Sequence, residues 1–324
     1  MRAMVCRHLG APDALRLEEV ESRPLNPGEV RVWVKATGVN FADSLMISGA
    51  YQVKPPLPLI PGLEAAGVVS EVAPGVKTLA VGDRVVGLTS WGGYAEEVVW
   101  TEERFLKIPE TMDFTTAAAF SLTYGTSHIG LIRRARLKAG ETLVVHGAGG
   151  AVGLAAVEVG KKLGATVIAS AGSAAKLVLA RDHGASHLIN YAEEDLKQRL
   201  LEVTNGRGAD VIFDPVGGAA FQASLKVIAF EGRLIVVGFA SGEAPRIPAN
   251  HLLVKNVDII GLFWGGYKRH DLKDLRASLE EIMTWWRAGE VKPYIGRTFP
   301  LAEAASALDY VVSRRSAGKV VLKV

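Results

Sequence analysis

The sequence predicts an α/β protein in two parts: a doubly wound parallel sheet and a β-rich, barrel-like domain. Three observations carry this. An apolar run TLVVH at 142–146 meets the glycine-rich turn GAGGAVG at 147–153, and a helical stretch and a second strand TVIAS follow. Strand and helix signals then alternate as far as residue 262. Roughly the first 130 residues instead offer short apolar segments separated by turns.

In chain order, strands are expected at 30–36 (VRVWVKA), 66–73 (AGVVSEVA), 84–88 (RVVGL) and 94–99 (YAEEVV), between turns at Pro27-Gly28, Pro74-Gly75 and Gly82-Asp83. From about Thr115 the run TTAAAFSLTYGTSHIGLIRRA reads as a helix, an interruption at Gly125, and a second helix with Arg133, Arg134 and Arg136 on a solvated face. A helix at 151–163 and strands at 166–170, 187–190, 210–213, 233–237 and 257–262 complete the alternating region. After Trp264 an amphipathic helix at 272–288 and short strands at 297–299 and 319–323 are expected to rejoin the first domain.

Composition narrows the function classes. The chain has 324 residues, 49% of them hydrophobic, which is enough for two domains with real cores. A net charge of +3, with basic residues interspersed among acids, gives nucleic-acid binding no support. The start MRAMVCRH lacks an apolar signal region and no later run is long enough to cross a bilayer, so a soluble protein in the cytoplasm is expected. Cys6 stands alone, which excludes an intrachain disulfide and a multi-cysteine zinc cluster and leaves it a packing role in the first strand. The histidines, His128, His146, His183, His187, His251 and His270 among them, show no metal-ligand spacing.

The glycine turn carries Ala148-x-Gly150-x-x-Gly153, a variant of the dinucleotide fingerprint with alanine in the first position. Small residues from Ala148 through Gly149, Gly150, Ala151 and Val152 to Gly153 let the backbone pass close to a pyrophosphate. The amides and dipole at the helix start favour its charge. Gly153 is expected to let that helix pack tightly on the sheet. Where NAD-binding versions of this unit carry an acid at the end of the second strand, this chain has Ser170 followed by Ala-Gly-Ser-Ala-Ala-Lys. Ser173 offers a hydroxyl and Lys176 a cation, and Tyr191 can close the adenosine pocket. This pattern suits NADPH, because a carboxylate here would repel the extra phosphate.

The order of parts resembles the medium-chain dehydrogenase/reductase superfamily, and more narrowly its zinc-free, zeta-crystallin-like quinone oxidoreductases. The segments that carry the resemblance are GVNFADSLMISGAY (38–51), PGLEAAGVV (61–69), VGDRVVG (81–87), GAGGAVG (147–153), INY (189–191), DPVGG (214–218) and GKVVL (318–322), over essentially the whole chain. The resemblance implies a Rossmann domain at 124–263 and a GroES-like domain formed by 1–123 and 264–324. Asn40 stands where the zinc enzymes of the superfamily place a ligating cysteine, and Leu63 where they place a histidine before Glu64. The four-cysteine loop is missing, so no metal site is expected.

The implied activity is metal-free hydride transfer from NADPH to a quinone. Asn40 can donate to the acceptor oxygen or to the nicotinamide ribose, Tyr51 can offer a phenol, and Asp43 can orient either one. The family places a hydroxyl, here Thr126, beside the nicotinamide. Gly238, Phe239, Phe263 and Trp264 follow strand ends, where ligands sit in such sheets, although core packing is equally open to the aromatics. The resemblance implies that Lys319 reaches the cofactor, and a surface strand lysine is equally open. Two other readings stay open. One is an alkenal, enone or enoyl-thioester reductase, with Arg133, Arg134, Lys268 and Arg269 available to a phosphorylated carrier. The other is a non-catalytic NADPH-binding protein. The superfamily habit of pairing edge strands implies a homodimer or homotetramer through VDIIGLF.

Overall fold

Alternation of inward apolar and outward polar residues in the N-terminal segments, and continuous apolar runs after residue 141, produce two different kinds of sheet. A computed structural model describes residues 1–324. In chain order the elements begin with β1 (Arg2–Cys6), β2 (Leu15–Glu19), β3 (Glu29–Val39), α1 (Phe41–Ile47), β4 (Ala65–Val72), β5 (Arg84–Gly87), β6 (Glu97–Thr101), β7 (Phe105–Lys107), α2 (Phe114–Ala118) and α3 (Ser121–His128). There follow β8 (Thr142–His146), α4 (Ala151–Lys162), β9 (Thr166–Ala171), α5 (Ala174–Asp182), β10 (His187–Asn190), α6 (Leu196–Val203), β11 (Ala209–Asp214), α7 (Gly218–Val227) and β12 (Ile228–Val236). The chain ends with α8 (Ala249–Lys255), β13 (Asp258–Gly261), α9 (Trp264–His270), α10 (Leu272–Arg287), β14 (Ile295–Pro300), α11 (Ala304–Val312) and β15 (Lys319–Lys323).

The chain forms two units, Met1–Leu122 with Pro293–Val324, and Thr123–Lys292. In the first, a sheet runs β14-β15-β3-β4-β5-β7, with β6 also paired to β3. Its core gathers Met4, Cys6, Ile47, Leu59, Tyr94, Leu308 and Leu322, so Cys6 packs as expected. Register fixes chemistry here. Val320 lies opposite Val39 in the antiparallel β15/β3 pair, and Thr37 opposite Ala65 in β3/β4, which brings Lys319, Asn40 and Glu64 to neighbouring strand ends.

The second unit is a six-stranded parallel sheet in the order β10-β9-β8-β11-β12-β13. Strand order reverses between β8 and β11, and ligands of doubly wound sheets bind at such a switch point. No helix is long and apolar enough to cross a membrane.

Three expectations need correction. The strand placed at 94–99 begins at Glu97, because Tyr94 is wholly buried in the loop before it. The second crossing between units comes after Lys292, not at 264. Trp264 packs against Gly125, His128 Nδ1 lies 2.9 Å from Ser278 Oγ, and Arg133 pairs with Asp271 and Asp274, all of which bind the 264–292 segment to the nucleotide-type unit. Gly125 does not interrupt a helix: α3 runs through it and continues as a π-helical stretch to Arg134. Its side is filled by the Trp264 indole, since a Cβ at Gly125 would lie 2.7 Å from Nε1.

Gly125→Ala is therefore expected to destabilise the protein by roughly 1–3 kcal/mol, as overpacking does. Gly125→Ala combined with Trp264→Leu should recover part of the loss relative to Trp264→Leu alone. Thermal melts of the three variants measure this, and an additive double mutant would disprove the contact.

Candidate functional site

In the barrel unit, the loop between β3 and α1 starts a helix on a buried polar cluster. Asn40 is the N-cap of α1, and Asp43, three residues on, turns its carboxylate back to accept from the Asn40 N–H at 2.9 Å. The same carboxylate accepts from the Gly62 N–H at 3.2 Å and the Tyr94 hydroxyl at 3.0 Å. Complete burial raises the Asp43 pKa to about 6 despite these donors. Tyr51 is partly buried beside this core, and burial together with the Asp43 charge pushes its phenol up to about 12.

Glu64 is the hub of the cluster, and the sequence reading gave it no role. Its Oε1 accepts from Lys319 Nζ at 2.6 Å and from Asn40 Nδ2 at 3.1 Å, while Oε2 accepts from Ser121 Oγ at 2.7 Å and the Leu122 N–H at 2.9 Å. Burial alone would raise its pKa. The Lys319 charge and these donors outweigh burial, so Glu64 titrates below its ordinary value. Lys319, 2% exposed, also donates to Asn40 Oδ1 at 2.5 Å. The signal in the sequence was a lone acid and a lone lysine, each leading into an apolar strand.

This geometry corrects the role read for Asn40. Both of its amide hydrogens are committed, one to Gly38 O at 3.2 Å and one to Glu64. Its Oδ1 can only accept, and it is engaged by Lys319. The Asp43 carboxylate is tied to the Asn40 and Gly62 backbone and to Tyr94, and Lys319, expected at the cofactor, directs its ammonium to Glu64 and Asn40 instead.

In the nucleotide-type unit the glycine turn is tight. A Cβ at Gly153 would lie 2.3 Å from Gly147 O and 2.8 Å from Ala148 Cα, so Gly153 packs on the turn itself. The close contact with the sheet belongs to Gly160, whose Cβ would lie 2.4 Å from Leu143 Cδ2. Ala148 is buried and its N–H donates to Ser170 O at 3.0 Å. Gly150 is the N-cap of α4, and Leu154 is the first residue whose N–H closes a helical turn, onto Gly150 O at 2.9 Å. The amides of Ala151, Val152 and Gly153 point out of the helix start, the arrangement that suits a pyrophosphate.

At the end of β9 the expected residues converge. The Lys176 stem lies across Gly149, where a Cβ would come within 2.4 Å of Lys176 Cβ, and the Tyr191 ring covers Gly172, 3.0 Å from the corresponding position. Ser173 caps α5, its Oγ 3.5 Å from the Lys176 N–H, and Tyr191 is 42% exposed. Ser170 does not join them. It is wholly buried and hydrogen-bonds His146 Nδ1 at 2.7 Å, because His146 and Ser170 are register partners of β8 and β9. His146 Nε2 lies 2.7 Å from Ser224 Oγ, whose hydroxyl donates to Ala220 O at 2.8 Å. Nε2 therefore carries the proton and Ser170 donates to Nδ1. Burial keeps this imidazole neutral by lowering its pKa, against a smaller opposing pull from Asp214.

Thr126 is buried within α3 rather than at its start. Phe239 and Phe263 are 39% and 40% exposed and Gly238 is half-buried, so these can meet a ligand. Trp264 is core, 5% exposed. Two of the four basic residues available to a phosphorylated carrier are engaged internally. Arg133 is spent on Asp271 and Asp274, and Lys268 is buried over the Trp264 ring.

Residues 151–281 match the zinc-binding dehydrogenase family and residues 26–110 the alcohol dehydrogenase GroES-like domain. A quinone oxidoreductase-like protein 2 homolog from Nematostella vectensis is 42% identical over 99% of this chain and 88% of its own length. The chain belongs to the zinc-free quinone oxidoreductases of the medium-chain dehydrogenase/reductase superfamily. It is an oxidoreductase with that family's two-domain fold, a GroES-like domain and a Rossmann domain. The crystal structure of Escherichia coli quinone oxidoreductase complexed with NADPH superimposes with a TM-score of 0.92 at 32% identity, covering 100% of both chains. CurK enoyl reductase superimposes at 0.91 with 26% identity, covering 99% of this chain and 98% of the other.

Zinc does not fit this chain. Leu63 supplies buried hydrocarbon, the Asn40 amide is committed, and the Lys319 ammonium already neutralises Glu64, so a second cation would be repelled. No group of three or more His, Cys, Asp or Glu side chains gathers to hold a metal ion.

Asp43 predicts a pH dependence of stability. Its folded pKa of about 6 exceeds the ordinary aspartate value of 3.8, so its contribution is fully present below 3.8 and is lost as pH rises through 6. Wild type is expected to lose on the order of 2–3 kcal/mol relative to Asp43→Asn between pH 4 and 7. Denaturant unfolding of both proteins across that range measures it, and a constant difference would refute the assignment.

Proposed function

We propose that this chain reduces quinones with NADPH. The observation that carries the cofactor reading is the end of β9. No acid stands there, and Lys176, laid over Gly149 beside Ser173 and the exposed Tyr191, offers a cation and hydroxyls to an adenosine 2′-phosphate. The cradle also fits a dinucleotide in its glycine turn. Bound NADPH would supply a hydride from its nicotinamide. Thr126, Gly238, Phe239 and Phe263 are the residues of the nucleotide-type unit proposed to border that ring; in the barrel unit, Lys319 holds Asn40 Oδ1 in place.

The acceptor reading rests on the protons available. Tyr51 and Tyr94 hold theirs tightly, because burial and the nearby Asp43 raise both phenols. Glu64 and Lys319 neutralise each other. Such a site orients and desolvates more than it protonates, and this suits an acceptor that is already electrophilic. Addition of hydride to a quinone leaves a hydroquinone anion whose oxygen water can protonate. An alkenal or enoyl thioester needs a proton at carbon. The similarity to an enoyl reductase keeps that reading second, and the internal pairing of Arg133 counts against a phosphorylated carrier. A homodimer or homotetramer through β13 belongs to the proposal. That strand is the sheet's edge, and Phe230, Leu253 and Val254 are largely exposed elsewhere on the same unit.

NADPH oxidation, with NADH in parallel, against 1,4-benzoquinone, 1,2-naphthoquinone, an alkenal and crotonyl thioester tests this. Quinone turnover with preference for NADPH is expected, and Lys176→Ala should weaken NADPH binding about ten- to a hundred-fold while leaving NADH nearly unchanged. Equal losses for both cofactors would remove Lys176 from the phosphate site. Turnover of alkenals or thioesters alone would move the function to double-bond reduction, and tight binding without turnover would favour a non-catalytic protein.

A further inference from the structure

Glu158 has no part in the chemistry above, yet it is a buried carboxylate of the nucleotide-type unit that draws donors from three separate segments. It lies in the middle of α4 and is 6% exposed. Its Oε1 accepts from His183 Nδ1 at 2.6 Å, and its Oε2 accepts from the Tyr124 hydroxyl at 2.5 Å and from the Lys292 backbone N–H at 2.9 Å. Tyr124 is the second residue of this unit and Lys292 the last. The chain thus enters and leaves the unit on one carboxylate oxygen.

The remaining contacts run toward the cofactor cradle. His183 is the C-cap of α5, the helix whose first turn carries Ser173 and Lys176. Ser127, three residues after Tyr124 and so on the same face of α3, has its hydroxyl 3.0 Å from both Thr123 O and Val152 O, the latter in the first turn of α4, and shares its one proton between them. Thr126 lies between these two ties. A buried carboxylate is retained only where donors satisfy it, and an apolar residue at 158 would deprive three donors from three separate segments of this acceptor.

We propose that Glu158 is a positioning residue. It holds α3, with Thr126, and both ends of the nucleotide unit in fixed register with the glycine turn, so that the walls for the two ends of the cofactor keep a constant spacing. The kinetic part of this proposal rests on the cofactor reading above; the structural part does not.

The test uses the full-length protein with Glu158→Gln and Tyr124→Phe. Amide hydrogen exchange without cofactor is expected to quicken in Glu158→Gln at both 123–127 and 290–293, and in Tyr124→Phe at 123–127 alone. With NADPH and 1,4-benzoquinone, Glu158→Gln should lower kcat about ten-fold, since a small misplacement of a positioning element is enough, while NADPH Kd changes less than about three-fold. A purely structural role would instead lower Tm and leave exchange at the two crossings and kcat unchanged, which overturns the proposal. So would loosening of one crossing in Glu158→Gln without the other. If Glu158→Gln does not fold, Tyr124→Phe decides: unchanged exchange at 123–127 overturns the anchor. Wild type that fails to bind NADPH would sink the cofactor reading and leave the exchange comparison standing.

Discussion

The barrel unit depends on a buried ion pair. Lys319 and Glu64 are 255 positions apart in the chain, yet their charges lie 2.6 Å apart with almost no exposure. Removing one member of such a pair leaves the other charge buried and costs about 3–5 kcal/mol. The pair constrains its surroundings. Gly38 has to be glycine, because a Cβ there would lie 2.3 Å from Glu64 Oε1 and 2.7 Å from Lys319 Cε. The second oxygen of Glu64 holds Ser121 and Leu122 at the end of the barrel's first segment, and the Lys319 ammonium fixes the Asn40 amide at the start of α1. The C-terminal strand that brings Lys319 to this carboxylate is itself paired to β3 and β14 and buries Val320, Val321 and Leu322.

Besides the Glu158 anchor, the nucleotide-type unit has a second buried polar knot, one without a net charge. Its buried His146 has no carboxylate in hydrogen-bonding contact and stays neutral between two hydroxyls, Ser170 and Ser224, which ties β8, β9 and α7 together directly behind the glycine turn. The difference follows from where each knot lies. A neutral knot in the heart of a parallel sheet avoids the desolvation cost of an ion, whereas the charged knot at the barrel's strand ends has four donors to spread that cost. Each knot stiffens the backbone from which functional groups project, without itself offering a reactive group.

Much of this was legible in the sequence where a local rule applies. The glycine turn, β10 and β15 fall where periodicity and turn chemistry place them, and the Ser173–Lys176–Tyr191 set converges because all three follow strand ends on one side of the sheet. What was misread depends on partners distant in sequence. Ser170 looked like a ligand because it ends a strand, but its face is set by the β8 register that pairs it with His146. Gly125 looked like a helix break, but the residue that requires it is Trp264, 139 positions later. The amphipathic pattern of α10 announces a buried face without saying which unit it covers, so the second crossing was placed too early. Glu64 was read only as the neighbour of Leu63, since nothing local reveals that an acid will meet a lysine near the far end of the chain.

The commitment of Asn40 decides how the proposed chemistry divides between cofactor and acceptor. An amide with both hydrogens engaged cannot polarise a quinone oxygen, and its Oδ1 is already held by the Lys319 ammonium. In the proposed chemistry the acceptor oxygen is then left to Tyr51 and water. Tyr51 can donate a hydrogen bond there, but with its phenol pushed up to about 12 it does not readily release the proton. On this reading the barrel unit contributes orientation and exclusion of water, and reactivity has to come from the electrophilicity of the acceptor itself. That requirement is what separates quinones from saturated carbonyl compounds as substrates: a simple ketone would need a Lewis acid or a ready proton, and the residues around Lys319 supply neither.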